Sequence, residues 1–424
     1  MNRHFDVVVI GGGIVGMSCA HYLRRRGASV CIVDRGRYSE GASTGNAGMI
    51  VPSHIIPLSA PGVIAKGIKW LMNPESPLYI KPSANPQFMK WLWLFQKHCT
   101  DAHVRYAVPV LRDLSLASRD LLTEMCDLRG FESVGLEHDG LLMLHNSEKA
   151  AKDNAELAEI AKDAGLEIQS LDRDATLALE PALKTEITGS VFFQQDASIH
   201  PEQLLRALEE HLKSSGPELG EETAGEVAFV DAEVKSIARS GKQIVHVSTN
   251  GEKITGDHFV IAAGSWTPHL TKGLGLNLAI QPAKGYSVTV PVEDSSMRIP
   301  CVVTDDKVTI TPMPGCIRFG GTLALQGFDA SIDERRVRPI RRQAELYCDP
   351  ESVEAVQTWS GFRPASPDGL PYIGAIPKTS NAFVASGHGM MGVTLGPITG
   401  KLISEMILDE STSMDSSPFR ADRH

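Results

Sequence analysis

Three short runs, Phe5–Ile10, His258–Ala263 and Ala382–Ala385, are apolar almost throughout, and each ends in a glycine-bearing turn. That pattern predicts buried strands that feed loops. After the first run comes Gly11-Gly12-Gly13-Ile14-Val15-Gly16, then 3.6-residue periodicity over Ile14–Arg26 with Gly27 at the C′ position of a helix. A second strand, Ser29–Val33, ends in Asp34. After the third run, Gly387-His388-Gly389-Met390-Met391-Gly392 precedes a helix over Val393–Leu408, so strand, glycine turn and helix recur near the end.

Between these landmarks the pattern changes twice. Ile50–Pro86 is apolar but broken by prolines, which predicts an irregular packed segment rather than a linker. Helices are predicted over Pro86–His98, Tyr106–Arg129 and Ser147–Ala164, with a strand at Gly140–Leu144. Ser190–Phe193 reads as a strand and Pro201 as a helix start. Val227–Ala238 and Gln243–Thr249 read as paired strands, with Val234 near the adenine of any nucleotide. From Gly285–Val290 through Pro300–Val303, Val308–Thr311 and Cys316–Thr322 the chain is nearly all β, and a helix over Asp333–Cys348 follows. Pro371–Ile376 is a further short strand. The last dozen residues, rich in Ser and Asp, are expected to lack fixed structure.

Two interleaved domains follow, as the length of 424 residues also suggests. The expected fold class is α/β plus α+β. A discontinuous Rossmann-like domain comprises 1–85, 190–275 and 355–424. An inserted antiparallel-sheet domain comprises 86–189 and 276–354.

The first turn carries the most specific chemistry. In GxGxxG, Gly11 permits the tight turn, Gly13 lets a pyrophosphate approach the backbone, and Gly16 lets helix and strand pack closely. The helix N-terminus at Ile14 and Val15 attracts the phosphate charge, and Asp34 is placed to accept from ribose hydroxyls. This unit alone does not separate FAD from NAD. The small polar segment Ser39–Ile50, with Ser43 and Asn46, and the late return of a strand ending in Ala263-Gly264-Ser265-Trp266 suit a long, bent cofactor.

Composition excludes several classes. A net charge of −10 with no long basic run argues against nucleic acid. The only run of three consecutive basic residues, Arg24-Arg25-Arg26, complements a helix C-terminus. Seven scattered cysteines without metal-site spacing suit reduced thiols in the cytoplasm. A strand beginning at Phe5 leaves no room for a signal peptide, and no apolar run reaches membrane-spanning length. The aromatic run Phe88–Phe95 either packs in the core or dips into a membrane interface, so peripheral attachment on the cytoplasmic face stays open.

Several blocks are distinctive together: Asn46-Ala47-Gly48, Ala60-Pro61-Gly62-Val63, Lys69-Trp70, and Trp91 and Trp93 before Cys99-Thr100. Further on come Lys284-Gly285-Tyr286-Ser287, Trp359–Gly369 and Ser386–Gly392. With them the chain resembles, over nearly its whole length, the D-amino acid dehydrogenase small-subunit type of the D-amino acid oxidase superfamily. The resemblance implies FAD held by the GxGxxG turn, Asp34, Arg35, Ser43, Asn46, Ala47, Gly48 and Met49. It also implies contacts from Val234, Ala263, Gly264, Trp266, Gly361, Arg363, Gly387, His388, Gly389, Met390, Met391, Gly392, Val393 and Thr394. Attachment should be noncovalent: Asn46 stands where one relative has a linking histidine, and Trp359–Ile373 contains no cysteine. The late helix would point its N-terminus at the flavin N1–C2=O edge.

The implied reaction is dehydrogenation of a small D-amino acid, of proline or hydroxyproline type among others, by hydride transfer from Cα to flavin N5. Electrons then pass to a quinone or other carrier. The alternatives are an oxygen-using oxidase of glycine, sarcosine or D-amino acids that makes hydrogen peroxide, and a flavin subunit of a larger complex. In the resembling oxidases the arginine of the Gly-Phe-Arg-Pro motif binds the substrate carboxylate, which assigns Arg363 here, with Tyr286 as second donor. Arg318 alternates with apolar residues and faces either solvent or site. His54 and His388 either touch substrate or quinone or serve the structure. Where glycine oxidases carry a further arginine this chain has Met390, whose thioether either lines a pocket for a carbon side chain or packs in the core.

Overall fold

The computed structural model describes residues 4–36, 41–64, 78–81, 83–214, 224–293 and 295–424. Lys69-Trp70 and the start of the Ser39–Ile50 segment lie outside them. Five parallel strands form the centre of one sheet, in the order Val227–Asp231, Val30–Asp34, His4–Ile10, Lys253–Ile261 and Ala382–Ser386. Both faces are covered, so the strands are apolar in both directions. Val7 and Val9 face one core, Val8 and Ile10 the other. Helices Ile14–Arg24 and Gly392–Ile407 pack on the first face. They cross at close range: a Cβ on Gly400 would lie 2.4 Å from the Ser18 carbonyl oxygen. On the other face an antiparallel ribbon, Ser236–Ser240 with Gln243–Ser248, continues into Lys253–Ile261. The strand expected over Val227–Ala238 is thus two, interrupted around Val234.

A second sheet of nine strands is mostly antiparallel, with Gln281–Pro291 between Cys316–Leu325 and Trp359–Ala365. Helix Glu334–Tyr347 covers one face through Val337, Ile340 and Ala344. The strand read at Ser190–Phe193 spans Gly189–Phe193 and belongs to this second sheet, as do two strands not expected from the sequence, Leu78–Ile80 and Trp359–Ala365. A strand's own residues report that it is buried; which sheet it joins is set by partners far away in sequence.

Helix Asp101–Cys126 starts earlier than expected because the Thr100 side chain caps it, accepting from the His103 N–H. In the aromatic run, Phe88, Trp91, Leu94 and Phe95 are buried while Met89 and Trp93 are exposed. No described helix is long and apolar enough to cross a membrane. No group of described residues could hold a metal ion.

The C-terminal segment is packed, contrary to expectation. Phe419 and Ala421 are buried, and the Arg423 guanidinium meets the buried Asp368 carboxylate at 2.7 and 3.0 Å. Its Ser- and Asp-rich composition hides these few anchors. Burial alone would raise the Asp368 carboxyl, but Arg423 and His424 hold it below the usual range. Its contribution is therefore complete at neutral pH and drains away as pH falls below the ordinary carboxylate value of 3.8. Arg423→Ala should cost about 3 kcal/mol by urea denaturation at neutral pH, because it strands a buried carboxylate. The difference from the parent should shrink in acid.

Candidate active site

The turn after His4–Ile10 is built by contact. Gly11 adopts φ +114°, and a Cβ there would lie 2.4 Å from the Ala262 carbonyl oxygen. A Cβ on Gly16 would reach 1.9 Å from the Gly11 oxygen, so the helix can approach the strand only with glycine there. The Gly12 N–H donates to Asp34 Oδ2 at 2.7 Å and the Gly36 N–H to Oδ1 at 3.1 Å, so Asp34 fixes the turn. Ser43 Oγ accepts from the Ile14 N–H at 3.1 Å.

These groups open onto a cavity of about 1210 Å³ between the two sheets. That exceeds the roughly 300–1,000 Å³ of an ordinary small-molecule site. Gly11, Gly13, Ile14, Val15, Asp34 and Arg35 line one end, with Ser43, Asn46, Ala47, Met49 and Val234 beside them. Ala263, Gly264 and Trp266 follow, and Arg35 stacks on Trp266 at 4.0 Å. His388, Gly389, Met390, Met391, Gly392 and Val393 close the far side.

At that far side stands Arg363. The space that a Gly285 side chain would fill is taken by its guanidinium, 2.1 Å from the ideal Cβ position. Its Nη1 donates to the Thr322 carbonyl at 2.9 Å. Thr322 holds φ +60°, a left-handed conformation rare for a β-branched residue. Among the described residues no carboxylate pairs with Arg363. Burial lowers its pKa to about 10, so it stays charged at neutral pH.

A cavity of this size, bounded by a GxGxxG turn and an uncompensated cation, is matched by the comparisons. The model of the DAO family, described as FAD dependent oxidoreductase, matches residues 6–406. The chain belongs to that family. It is 32% identical to a D-amino acid dehydrogenase of Bradyrhizobium diazoefficiens, over 99% of this chain and 98% of the relative. To a D-amino acid dehydrogenase of Vibrio vulnificus it is also 32% identical, over 96% of both chains. Among solved structures, glycine oxidase from Geobacillus kaustophilus is similar with TM-score 0.76 and 24% identity, over all of both chains. L-proline dehydrogenase from P. horikoshii is similar with TM-score 0.72 and 17% identity, covering 100% of this chain and 98% of the other.

FAD is the cofactor of this oxidoreductase family, and the residues present fit it. The glycine turn and the Ile14 helix start suit a pyrophosphate, Asp34 a ribose, and the cavity has room beyond a dinucleotide. No cysteine is among the described lining residues. Gly16, Gly48, Gly361, Gly387 and Thr394, expected as contacts, do not line the cavity but shape its walls. A Cβ on Gly48 would meet the Ile199 oxygen at 2.4 Å, and one on Gly361 the Trp359 ring at 2.2 Å. A Cβ on Gly387 would lie 2.8 Å from the Tyr372 ring, and Thr394 Oγ1 is bonded to the Met49 and Val51 backbone.

Two substrate assignments need correction. Tyr286 borders the cavity, but its ring packs with Val288, Phe319, Val337 and Ile340 under helix Glu334–Tyr347. Gly285, against which Arg363 lies, and Tyr286 are neighbours on one strand and so face opposite ways. Arg318 does not line the cavity. It donates to the Thr44 and Asn46 carbonyls at 2.7 and 2.6 Å and to Thr289 Oγ1 at 2.9 Å. Its role is to brace the loop that faces the cofactor. His388 bonds Thr399 Oγ1 at 2.9 Å, and burial lowers its pKa to about 3, so it is neutral. Trp359, which lies over Gly45, was noted only as part of a distinctive block and Thr322 not at all as a site residue; neither a stacking position nor a left-handed backbone leaves a local signature.

Arg318→Leu should weaken FAD affinity at least ~10-fold, because each hydrogen bond from a charged donor contributes about 1.5–3 kcal/mol. Reconstitution of the stripped protein with FAD measures it.

Proposed function

We propose that the chain dehydrogenates a small D-amino acid, of proline or hydroxyproline type among others, and passes the electrons to a quinone or another carrier. FAD, held without a covalent bond, supplies the hydride acceptor. The observation that carries the reading is the charged, cavity-facing Arg363, beside which no described residue places a carboxylate. An anion arriving there gains a charge-assisted pair in a place where an unpaired charge is costly. The substrate carboxylate is that anion, and fixing it at Arg363 orients Cα.

Leu58, Val63, Leu78, Leu323 and Met390 line the same cavity as Arg363. Met390 offers no second cation, which favours a substrate with carbon beyond Cα over glycine. The curated relatives named D-amino acid dehydrogenase support the same stereochemistry.

Anaerobic addition of D-proline or D-alanine to the yellow protein should bleach it, and L-enantiomers should not. Dye reduction should greatly exceed peroxide production in air; the opposite ratio makes the chain an oxidase. Arg363→Leu should retain FAD yet lose about 10³-fold in kcat/KM, corresponding to about 4 kcal/mol for one buried charged pair.

A further inference from the structure

Asp196 lies just before the two-residue strand Ala197–Ser198, and Ser53 just after Met49–Ile50. Antiparallel pairing of Met49 with Ser198 and Ile50 with Ala197 brings them together. The Ser53 N–H donates to Asp196 Oδ1 at 2.9 Å, and Ser53 Oγ lies 2.5 Å from Oδ2. The same Oγ lies 3.1 Å from His54 Nδ1. Asp196 is 1% exposed, whereas His54 lines the cavity that Arg363 also lines. Among the described residues His54 Nε2 has no partner.

We propose that Asp196, Ser53 and His54 form a hydrogen-bonded relay that presents His54 Nε2 as an acceptor to the substrate nitrogen. This rests on the reading of the cavity as an amino-acid site. A hydroxyl has one proton to give. Beside an ionised Asp196 that proton points at Oδ2, so Oγ accepts from Nδ1–H and the Nε2 lone pair faces the cavity. A protonated Asp196 reverses the chain. The carboxyl O–H then donates to Oγ, Oγ–H donates to Nδ1, and Nε2–H faces the cavity.

The acceptor polarity suits the chemistry. Loss of a hydride from Cα converts a neutral amine nitrogen into a cationic C=N nitrogen. An acceptor backed by a carboxylate stabilises that charge as it develops. The reversed relay would instead tie up the nitrogen lone pair that expels the hydride. His54 touches the substrate; Ser53 and Asp196 are positioning residues. Burial lowers the His54 pKa to about 4, so it acts as a neutral acceptor rather than as a store for the proton. Burial pushes the Asp196 carboxyl up to about 7, opposed by the Ser53 hydrogen bonds and by the Arg119 charge from helix Asp101–Cys126. Arg119 itself is bonded to the Gln195 carbonyl and to Asp120. Asp196 is ionised above that value, so the acceptor polarity belongs to the alkaline side.

The holoenzyme can be titrated, by its flavin absorbance, with two planar acids of one shape that cannot be oxidised. Pyrrole-2-carboxylate presents a ring N–H donor; furan-2-carboxylate presents only a ring oxygen. The parent should bind the pyrrole about 10-fold tighter at about pH 8.5 and lose or reverse that preference at about pH 5.5, the difference of one hydrogen bond either side of the Asp196 titration. In Asp196→Asn, Oδ1 must still accept from the Ser53 N–H, so the amide NH₂ faces Oγ and the furan should be preferred at both pH values. In Ser53→Ala the further change Asp196→Asn should leave the preference unchanged. Equal preference in parent and Asp196→Asn, with no change between the two pH values in the parent, overturns the relay. If neither acid perturbs the parent flavin, the carboxylate site itself is wrong.

Discussion

Burying a guanidinium without a carboxylate partner works against folding, since the desolvation cost is not returned within the protein. Among the described residues Arg363 is in that position, held by the Thr322 carbonyl and by the space that Gly285 leaves open. Much of the local structure follows from keeping it there. Gly285 must lack a side chain, Thr322 must turn into a left-handed conformation, and the pairing of Gln281–Pro291 with Trp359–Ala365 must set Ala283 opposite Arg363. In the proposed reading an anionic ligand at Arg363 offsets that cost.

The opposite end of the cavity obeys a different constraint, set by close approach rather than by charge. Gly11 and Gly16 let strand, turn and helix touch, while Asp34 ties the turn to the next strand. Arg318 belongs to the second sheet, yet its guanidinium grips the loop carrying Asn46. The second sheet is thereby tied to that loop through two backbone carbonyls held by a buried cation, which helps fix the cavity wall that FAD needs.

What could be read along the chain were features with local causes. The GxGxxG turn, its helix and Asp34 are neighbours in sequence, and the structure places them together at one end of the cavity. The discontinuous Rossmann-like sheet was legible from three apolar runs that each end in glycine. Strand membership was less so, because Leu78–Ile80 and Gly189–Phe193 take partners from elsewhere in the chain. Tyr286 and Arg318 failed as substrate residues for a related reason. Alternation along a strand says that neighbours face opposite ways without saying which face holds the site. Asp196 and Ser53 meet only through the pairing of two very short strands, and the C-terminal clamp on Asp368 depends on a few anchors in a polar tail.

We propose that Arg363 is reserved for a carboxylate. The most direct test compares a bound acid with its own amide, neither of which can be oxidised: pyrrole-2-carboxylate against pyrrole-2-carboxamide, each titrated into the oxidised flavoprotein. The acid should bind at least ~100-fold tighter, because the amide leaves the buried cation unpaired. Equal affinity for the two would mean that Arg363 does not hold the carboxylate.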